Sequence, residues 1–92
     1  MKLFNWDRAK NEWLIENRAI CFEDILFYID KGFLLDDIIH PNQEKYSSQR
    51  MLVVNIEDYI YLVPYVETKA EIFLKTIIPS RMATKKYLEQ RK

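Results

Sequence analysis

His40 is the chain's only histidine, and Pro41–Asn42 follow it. Imidazole is the side chain whose ordinary pKa lets it exchange a proton near neutral pH. His40 is therefore a candidate general acid or base; a structural role in a His-Pro-Asn turn is the competing reading. Tyr46, Tyr61 and Tyr65 offer hydroxyls as proton donors and rings that can stack on a base, where each stack contributes ~1–3 kcal/mol. Core packing is the other use of such rings. Lys75 stands in an alternating apolar run: it is either a phosphate clamp on an open sheet face or an exposed lysine that discourages edge pairing. Lys10 and Arg50 are further cations, solvated unless the fold brings them to the others. Cys21, at the start of an expected helix, is either a thiol activated there or a packed side chain; packing is expected.

Several kinds of site are absent. One glycine, Gly32, cannot build a phosphate-cradling loop. One Cys and one His cannot hold a structural zinc ion. No metal or cofactor is expected, and no helix-turn-helix signal stands out. A lone Cys suits a reducing compartment, and no apolar run approaches a membrane span or a signal peptide, so a cytoplasmic protein is expected. The 92 residues fit one compact domain, and 49% hydrophobic content argues against disorder.

Charge is unevenly spread although the total is zero. Residues 1–67 hold seven Lys/Arg against twelve Asp/Glu, a net of −5; residues 68–92 hold seven against two, a net of +5. The basic group is Lys69, Lys75, Arg81, Lys85, Lys86, Arg91 and Lys92. It can mark a surface for a polyanion, or a solvated helix whose cations favour its C-terminal dipole end.

These residues must be placed by a small set of elements. Asp7 is a good N-cap for a helix over Arg8–Arg18. Phe22, Ile25, Leu26 and Ile29 fall at i, i+3, i+4 and i+7, a buried helical stripe, and Gly32 follows as its stop. The period then changes to strands at Phe33–Ile39, Arg50–Ile56, Tyr59–Val66 and Glu71–Ile78. Glu57–Asp58 lacks glycine, so the hairpin loop there is expected to exceed two residues. Pro64 implies a bulge or an unpaired edge position. In the last strand Ile72, Leu74, Thr76 and Ile78 share one face, with Phe73, Lys75 and Ile77 on the other. Pro79–Ser80 ends it, and Met82–Gln90 reads as a short basic helix. The order α-α-β-β-β-β-α indicates an α+β fold: two N-terminal helices packed on one face of a four-stranded, mostly antiparallel sheet. The opposite face, with the Tyr and Lys residues, is expected to be free for function. Tyr59, Tyr61 and Tyr65 share a strand face; it can offer a partly exposed aromatic platform, but core or interface packing is the expected role for most of them.

Three segments, in order along the chain, resemble one family. Phe4–Asn5–Trp6–Asp7 with Lys10 is similar to the F-x-W-D-x-x-K opening of BrnT-type toxins. Ile20–Cys21–Phe22–Glu23–Asp24 resembles their V-S-F-E-E helix start. Ile77–Ile78–Pro79–Ser80–Arg81–Met82–Ala83–Thr84 resembles their I-I-S-A-R-x-A-T, followed by a helix with a tyrosine, here Tyr87. The chain departs from the family pattern at Asn17–Arg18, where a Lys–His pair is usual, and at Phe73–Leu74–Lys75–Thr76, where the family strand is Arg-rich. The resemblance implies a RelE-like fold and the toxin half of a type II toxin–antitoxin pair, a metal-independent endoribonuclease that blocks translation. It also implies a cognate antitoxin that covers the active surface and carries any DNA-binding domain. Such cleavage needs cations at the crowded phosphate and a proton donor or acceptor at the sugar oxygens. The expected catalytic residues are Lys75, Arg81, His40 and Tyr65, with Arg81 resting on the family match. The expected RNA contacts are Lys10, Tyr46, Arg50, Lys85 and Lys86. A non-catalytic interaction domain, or a toxin fold without activity, is the alternative.

Overall fold

Leu3–Trp6, read from the sequence only as part of a motif, forms a strand (β1) in the computed structural model, which describes residues 2–89. Two helices follow, α1 (Arg8–Arg18) and α2 (Phe22–Asp30), then β2 (Leu34–Ile39), β3 (Gln49–Ile56), β4 (Tyr59–Glu67), β5 (Glu71–Leu74), the two-residue β6 (Ile78–Pro79) and α3 (Arg81–Tyr87). The fold is α+β, as expected, but the sheet has six strands rather than four. The expected end of the last helix at Gln90, with Arg91 and Lys92, lies outside the described residues.

The sheet order is β1-β5-β4-β3-β2, with β6 also on β4. All pairings are antiparallel except β1 with β5, which run parallel. Cross-strand partners share a face, so the register defines two surfaces. One carries Leu52, Val54, Val63, Tyr65 and Leu74, and against it pack Leu14 of α1 and Phe22 and Ile25 of α2. The other carries Met51, Val53, Ile60, Leu62 and Pro64 and is partly covered by α3. Thr84 of α3 accepts the Ile60 amide through its hydroxyl at 2.9 Å, and Ser80 donates its backbone N–H to the Ile60 carbonyl.

The strand expected over Glu71–Ile78 is broken, and the alternation expected across it fails. Leu74 and Ile77 are both fully buried in the same core, three residues apart, while Ile78 is exposed. Pro64 supplies the reason. Its carbonyl accepts the Lys75 amide, so the side of Pro64 that lacks an N–H faces the broken strand. Pairing lapses over residues 75–77, the phase slips by one, and β6 resumes opposite Tyr61 and Leu62. Pro64 itself stays regularly paired with Met51. The irregularity it predicts falls in its neighbour, and the slip delivers Ile77 to the core, a burial contributing ~1.5–3 kcal/mol.

The β3–β4 turn is tighter than expected. Ile56 pairs with Tyr59, leaving only Glu57 and Asp58 in the loop, both at positive φ (51° and 66°). That is the two-residue turn normally filled by Asn-Gly; Asn55 stabilises it by accepting the Asp58 amide through its side chain. On the helix side, Asn11 is the one buried polar residue among the described residues. Its side-chain oxygen accepts the first amide of α2, that of Phe22, at 2.7 Å, and its nitrogen donates to Glu23 at 2.8 Å. One residue of α1 therefore caps the next helix. Trp6 of β1 stacks on Phe22 at 5.5 Å and locks the same corner.

Asn11→Ala leaves the Phe22 amide without its partner and should destabilise the fold by about 1–3 kcal/mol, read as a lower urea midpoint at unchanged slope. Glu57→Asn with Asp58→Gly should raise that midpoint by the equivalent of about 1 kcal/mol, because the turn then holds residues suited to positive φ.

Candidate functional site

The loop joining β2 to β3 places His40 and Tyr46. The Asn42 side chain accepts the Lys45 amide, its carbonyl accepts the Tyr46 amide, and Tyr46 in turn accepts from Gln49. His40 donates its backbone amide to Gln49 and accepts the Gln43 side chain on its carbonyl. The loop is thus a wound structure, and it sets the imidazole against the Tyr46 ring at 4.5 Å between centroids. The backbone amide of Asn42 donates to His40 Nδ1 at 3.1 Å. The neutral ring then carries its proton on Nε2, the nitrogen left for a ligand.

These two rings form one wall of a cleft of about 370 Å³. Gln49 and Pro64 form the floor, and the broken strand supplies Lys75, Thr76 and Ile78 on the far side. Lys75 is exposed, with its ammonium 5.5 Å from the Phe73 ring. Lys45, which does not line the cleft, holds its ammonium 5.3 Å from the Tyr46 ring. The structure therefore joins His40 and Tyr46, which share the β2–β3 loop, with Lys75 from the broken strand. Lys45, Gln49 and Thr76 were not singled out from the sequence. Lys45 was legible as the cation beside a tyrosine, whereas nothing local marks Gln49 or Thr76.

Tyr65 and Arg50 meet elsewhere, on the face covered by α1 and α2. The Tyr65 hydroxyl donates to the Asp37 carboxylate at 2.8 Å, and Arg50 Nε approaches the same carboxylate at 3.1 Å while its Nη2 bonds the Asp37 carbonyl. Tyr65 is buried at 3% exposure. Burial, and then the Asp37 carboxylate, push its phenol up to about 12. The Asp37 partnership, with a smaller hydrogen-bond contribution from Tyr65, raises the Arg50 guanidinium above its already high value. Tyr65 is a committed donor to a neighbour, and the Arg50 charge is matched by Asp37.

The expectation of a free tyrosine face is corrected here. Tyr59, Tyr61 and Tyr65 do share a face, but it is the helix-covered one, because the alternation that aligns them also aligns them with Val63 and the core. Tyr61 packs against that core, and Tyr59 meets it edge-on at 5.8 Å. Lys10 also lies on the helix side, its ammonium 4.4 Å from the Trp13 ring. Arg81 begins α3 and is exposed; it does not line the cleft, and no side-chain hydrogen bond or ion pair holds it among the described residues. Lys85 and Lys86 lie in the last turn of α3, on the same side of the sheet as the cleft. Burial pushes the half-buried Cys21 thiol up rather than down, so it is packed rather than activated.

Compared with known proteins, the chain matches no family model, no curated protein and no solved structure. Among the described residues no helix is long and apolar enough to cross a membrane.

The Tyr65 environment makes an alkaline prediction. Its folded pKa is raised from 10.0 to about 12. The stabilisation by its protonated hydroxyl is therefore complete below pH 10 and is lost as the pH rises through about 12. Ultraviolet titration of tyrosinate should show a late step near that value that is lost in Tyr65→Phe, and the variant should lose less additional stability across the same interval.

Proposed function

We propose that this chain is the toxin of a type II toxin–antitoxin pair, a cytoplasmic, metal-independent endoribonuclease of the BrnT-like kind, working at the His40–Tyr46–Lys75 cleft. The observation that carries the reading is convergence: three residues nominated separately by their chemistry surround one opening. The α+β architecture, with a helix pair on one sheet face and a short helix after the last strand, agrees in outline with the fold the resemblance implies.

The cleft can divide the work of cleavage. Tyr46, backed by His40, offers a ring for a base. Lys75 and the Nε2–H of His40 supply two donors where charge grows on the phosphate oxygens. The 2′-oxygen attacks phosphorus and its proton leaves to water. The bond to the 5′-oxygen breaks, and that oxygen takes a proton from the Lys75 ammonium, leaving a 2′,3′-cyclic phosphate and a 5′-hydroxyl. Because the Asn42 amide occupies Nδ1, His40 serves as a neutral donor rather than the general acid or base first expected. Arg81, outside the cleft, is assigned a flanking phosphate contact. A cognate antitoxin is the expected protein partner, with RNA as substrate and DNA reached only through the antitoxin.

A binding domain without catalysis is the second reading. It is favoured by the apolar surface around Met82, which is 83% exposed.

Expression of the chain should arrest bacterial growth and create discrete new 5′ ends in cellular RNA by primer extension. Lys75→Ala and His40→Ala should each lower cleavage on the order of 10²-fold. His40→Gln, which keeps a neutral donor, should stay within about tenfold of the unaltered protein, and Arg81→Ala should fall between. A folded, soluble protein that yields no new 5′ ends would select the binding domain.

A further inference from the structure

Where the corner between α1 and α2 meets the β3–β4 turn, the helix-covered face of the sheet holds a cavity of about 190 Å³. The His40–Lys75 cleft lies on the other face, and the two share no lining residue. The cavity is walled by the buried Ile20 and Ile56 and by the half-buried rings of Tyr28 and Tyr61. Asp24 and Glu57 supply its charge. Asp24 and Tyr28 stand four residues apart and so share one face of α2. Tyr61 comes from β4, and Glu57 from the turn.

The two charged lining groups are both acids, and no lining residue is a cation. The ion pairs among the described residues, Lys2–Glu67 and Arg50–Asp37, lie elsewhere. The basic residues that flank these segments are committed away from the cavity. Arg18 bonds the Ile77 carbonyl and lies 5.2 Å from the Trp13 ring, and Lys31 lies 5.4 Å from the Phe27 ring. Asp24 accepts the Cys21 amide at 3.0 Å through one oxygen, a helix-cap bond that leaves its charge unmatched. The turn has no need of a carboxylate at position 57, since Asn55 supports it through the Asp58 amide. Tyr65 and Tyr87 donate their hydroxyls to Asp37 and Asp36, whereas those of Tyr28 and Tyr61 have no protein partner among the described residues.

Two rings, two carboxylates and two phenol oxygens without a competing cation make a site for an organic cation. Size and hydration decide which one. The volume falls below the ~300–1,000 Å³ of clefts that enclose whole drug-sized ligands, so it takes a head group on a short stem. A quaternary ammonium has no N–H for the carboxylates. A primary ammonium is strongly hydrated and gives up more on entering between two rings and two isoleucines. A guanidinium is planar and weakly hydrated, stacks on aromatic faces and presents its N–H donors in a fork that matches a carboxylate. We propose that this cavity binds a guanidinium group, carried by a small guanidino compound or by an arginine side chain of another protein. The proposal stands apart from the nuclease reading.

Nuclear magnetic resonance of the isotopically labelled full chain tests it. The probes are ethylguanidinium and a capped glycine-arginine-glycine peptide. Their counterparts are tetramethylammonium and the same peptide with citrulline, which keeps the shape but replaces the cation with a neutral urea. Ethylguanidinium should shift Ile20, Glu57 and Tyr61, leave His40 and Lys75 unmoved, and bind at least tenfold more tightly than tetramethylammonium. The citrulline peptide should bind at least tenfold more weakly than the arginine peptide. Asp24→Asn, which keeps an oxygen for the Cys21 amide, and Glu57→Gln, in an exposed turn, should each weaken binding at least fivefold with the fold intact by circular dichroism. Asp58→Asn, at an acid that does not line the cavity, should stay within twofold. No shift at the cavity with millimolar probe, or equal affinity for the arginine and citrulline peptides, overturns the proposal. So does a loss in Asp58→Asn that equals the loss in Glu57→Gln, which would reduce the effect to diffuse surface charge. Tighter binding of the arginine peptide than of ethylguanidinium assigns the site to a protein arginine, and the reverse order assigns it to a free guanidino compound; either upholds the guanidinium site.

Discussion

A proline in the central strand organises this molecule. β4 has neighbours on both sides, and Pro64 can offer the β5 side a carbonyl but no amide. The adjacent strand cannot run past it in register. It divides into β5 and β6, and residues 75–77 leave the ladder. Three results follow from that one missing donor. Ile77 drops into the helix-side core, Lys75 and Thr76 are released to line a cleft, and the chain is turned toward α3, whose Ser80 and Thr84 bond back to Ile60. Arg18, reaching from the end of α1 to the Ile77 carbonyl, satisfies one of the groups that the break leaves unpaired.

The edge strand shows a complementary economy. Asp36 and Asp37 are adjacent and so project to opposite faces. Asp37 takes the Tyr65 hydroxyl on the helix side, and Asp36 takes that of Tyr87 on the other. Two neighbouring acids thus tie the outermost strand to β4 on one face and to α3 on the other. They also put charge on an otherwise aliphatic edge, which guards it against pairing with other chains.

How far the sequence could be read depended on whether a signal was local. Helix α1 was legible to the residue, because Asp7 caps it and the period holds through Arg18. The stripe of α2 and the spans of β2, β3 and β4 were legible within a residue or two. β1 was not, because Leu3–Trp6 is a strand by virtue of lying beside Glu71–Leu74, nearly the whole chain away. The break in the last strand was foreshadowed by Pro64 but assigned to the wrong strand, since sequence alone does not say which side the missing amide faces. The turn at Glu57–Asp58 was misjudged because Asn55, outside the pair, supports it. At the site, residue chemistry identified His40, Tyr46 and Lys75, but not which of the nominated groups would meet. The same alternation that marks Tyr61 and Tyr65 as one face also commits them to the core, and Arg50 was unreadable without its partner Asp37.

The parallel pairing of β1 with β5 has a consequence for how the protein is made. During synthesis β1 must wait for its partner among the described strands, 68 positions later (Leu3 opposite Glu71). Closing so long a loop is entropically expensive and slow compared with forming the β3–β4 hairpin. Trp6 cannot settle against the completed sheet until Leu74 has been synthesised, and the Lys2–Glu67 ion pair forms only at that stage. Synthesis therefore passes through a long interval in which the hairpin is present and the sheet is open at that side, so the mature surface is assembled only after β5 has been translated.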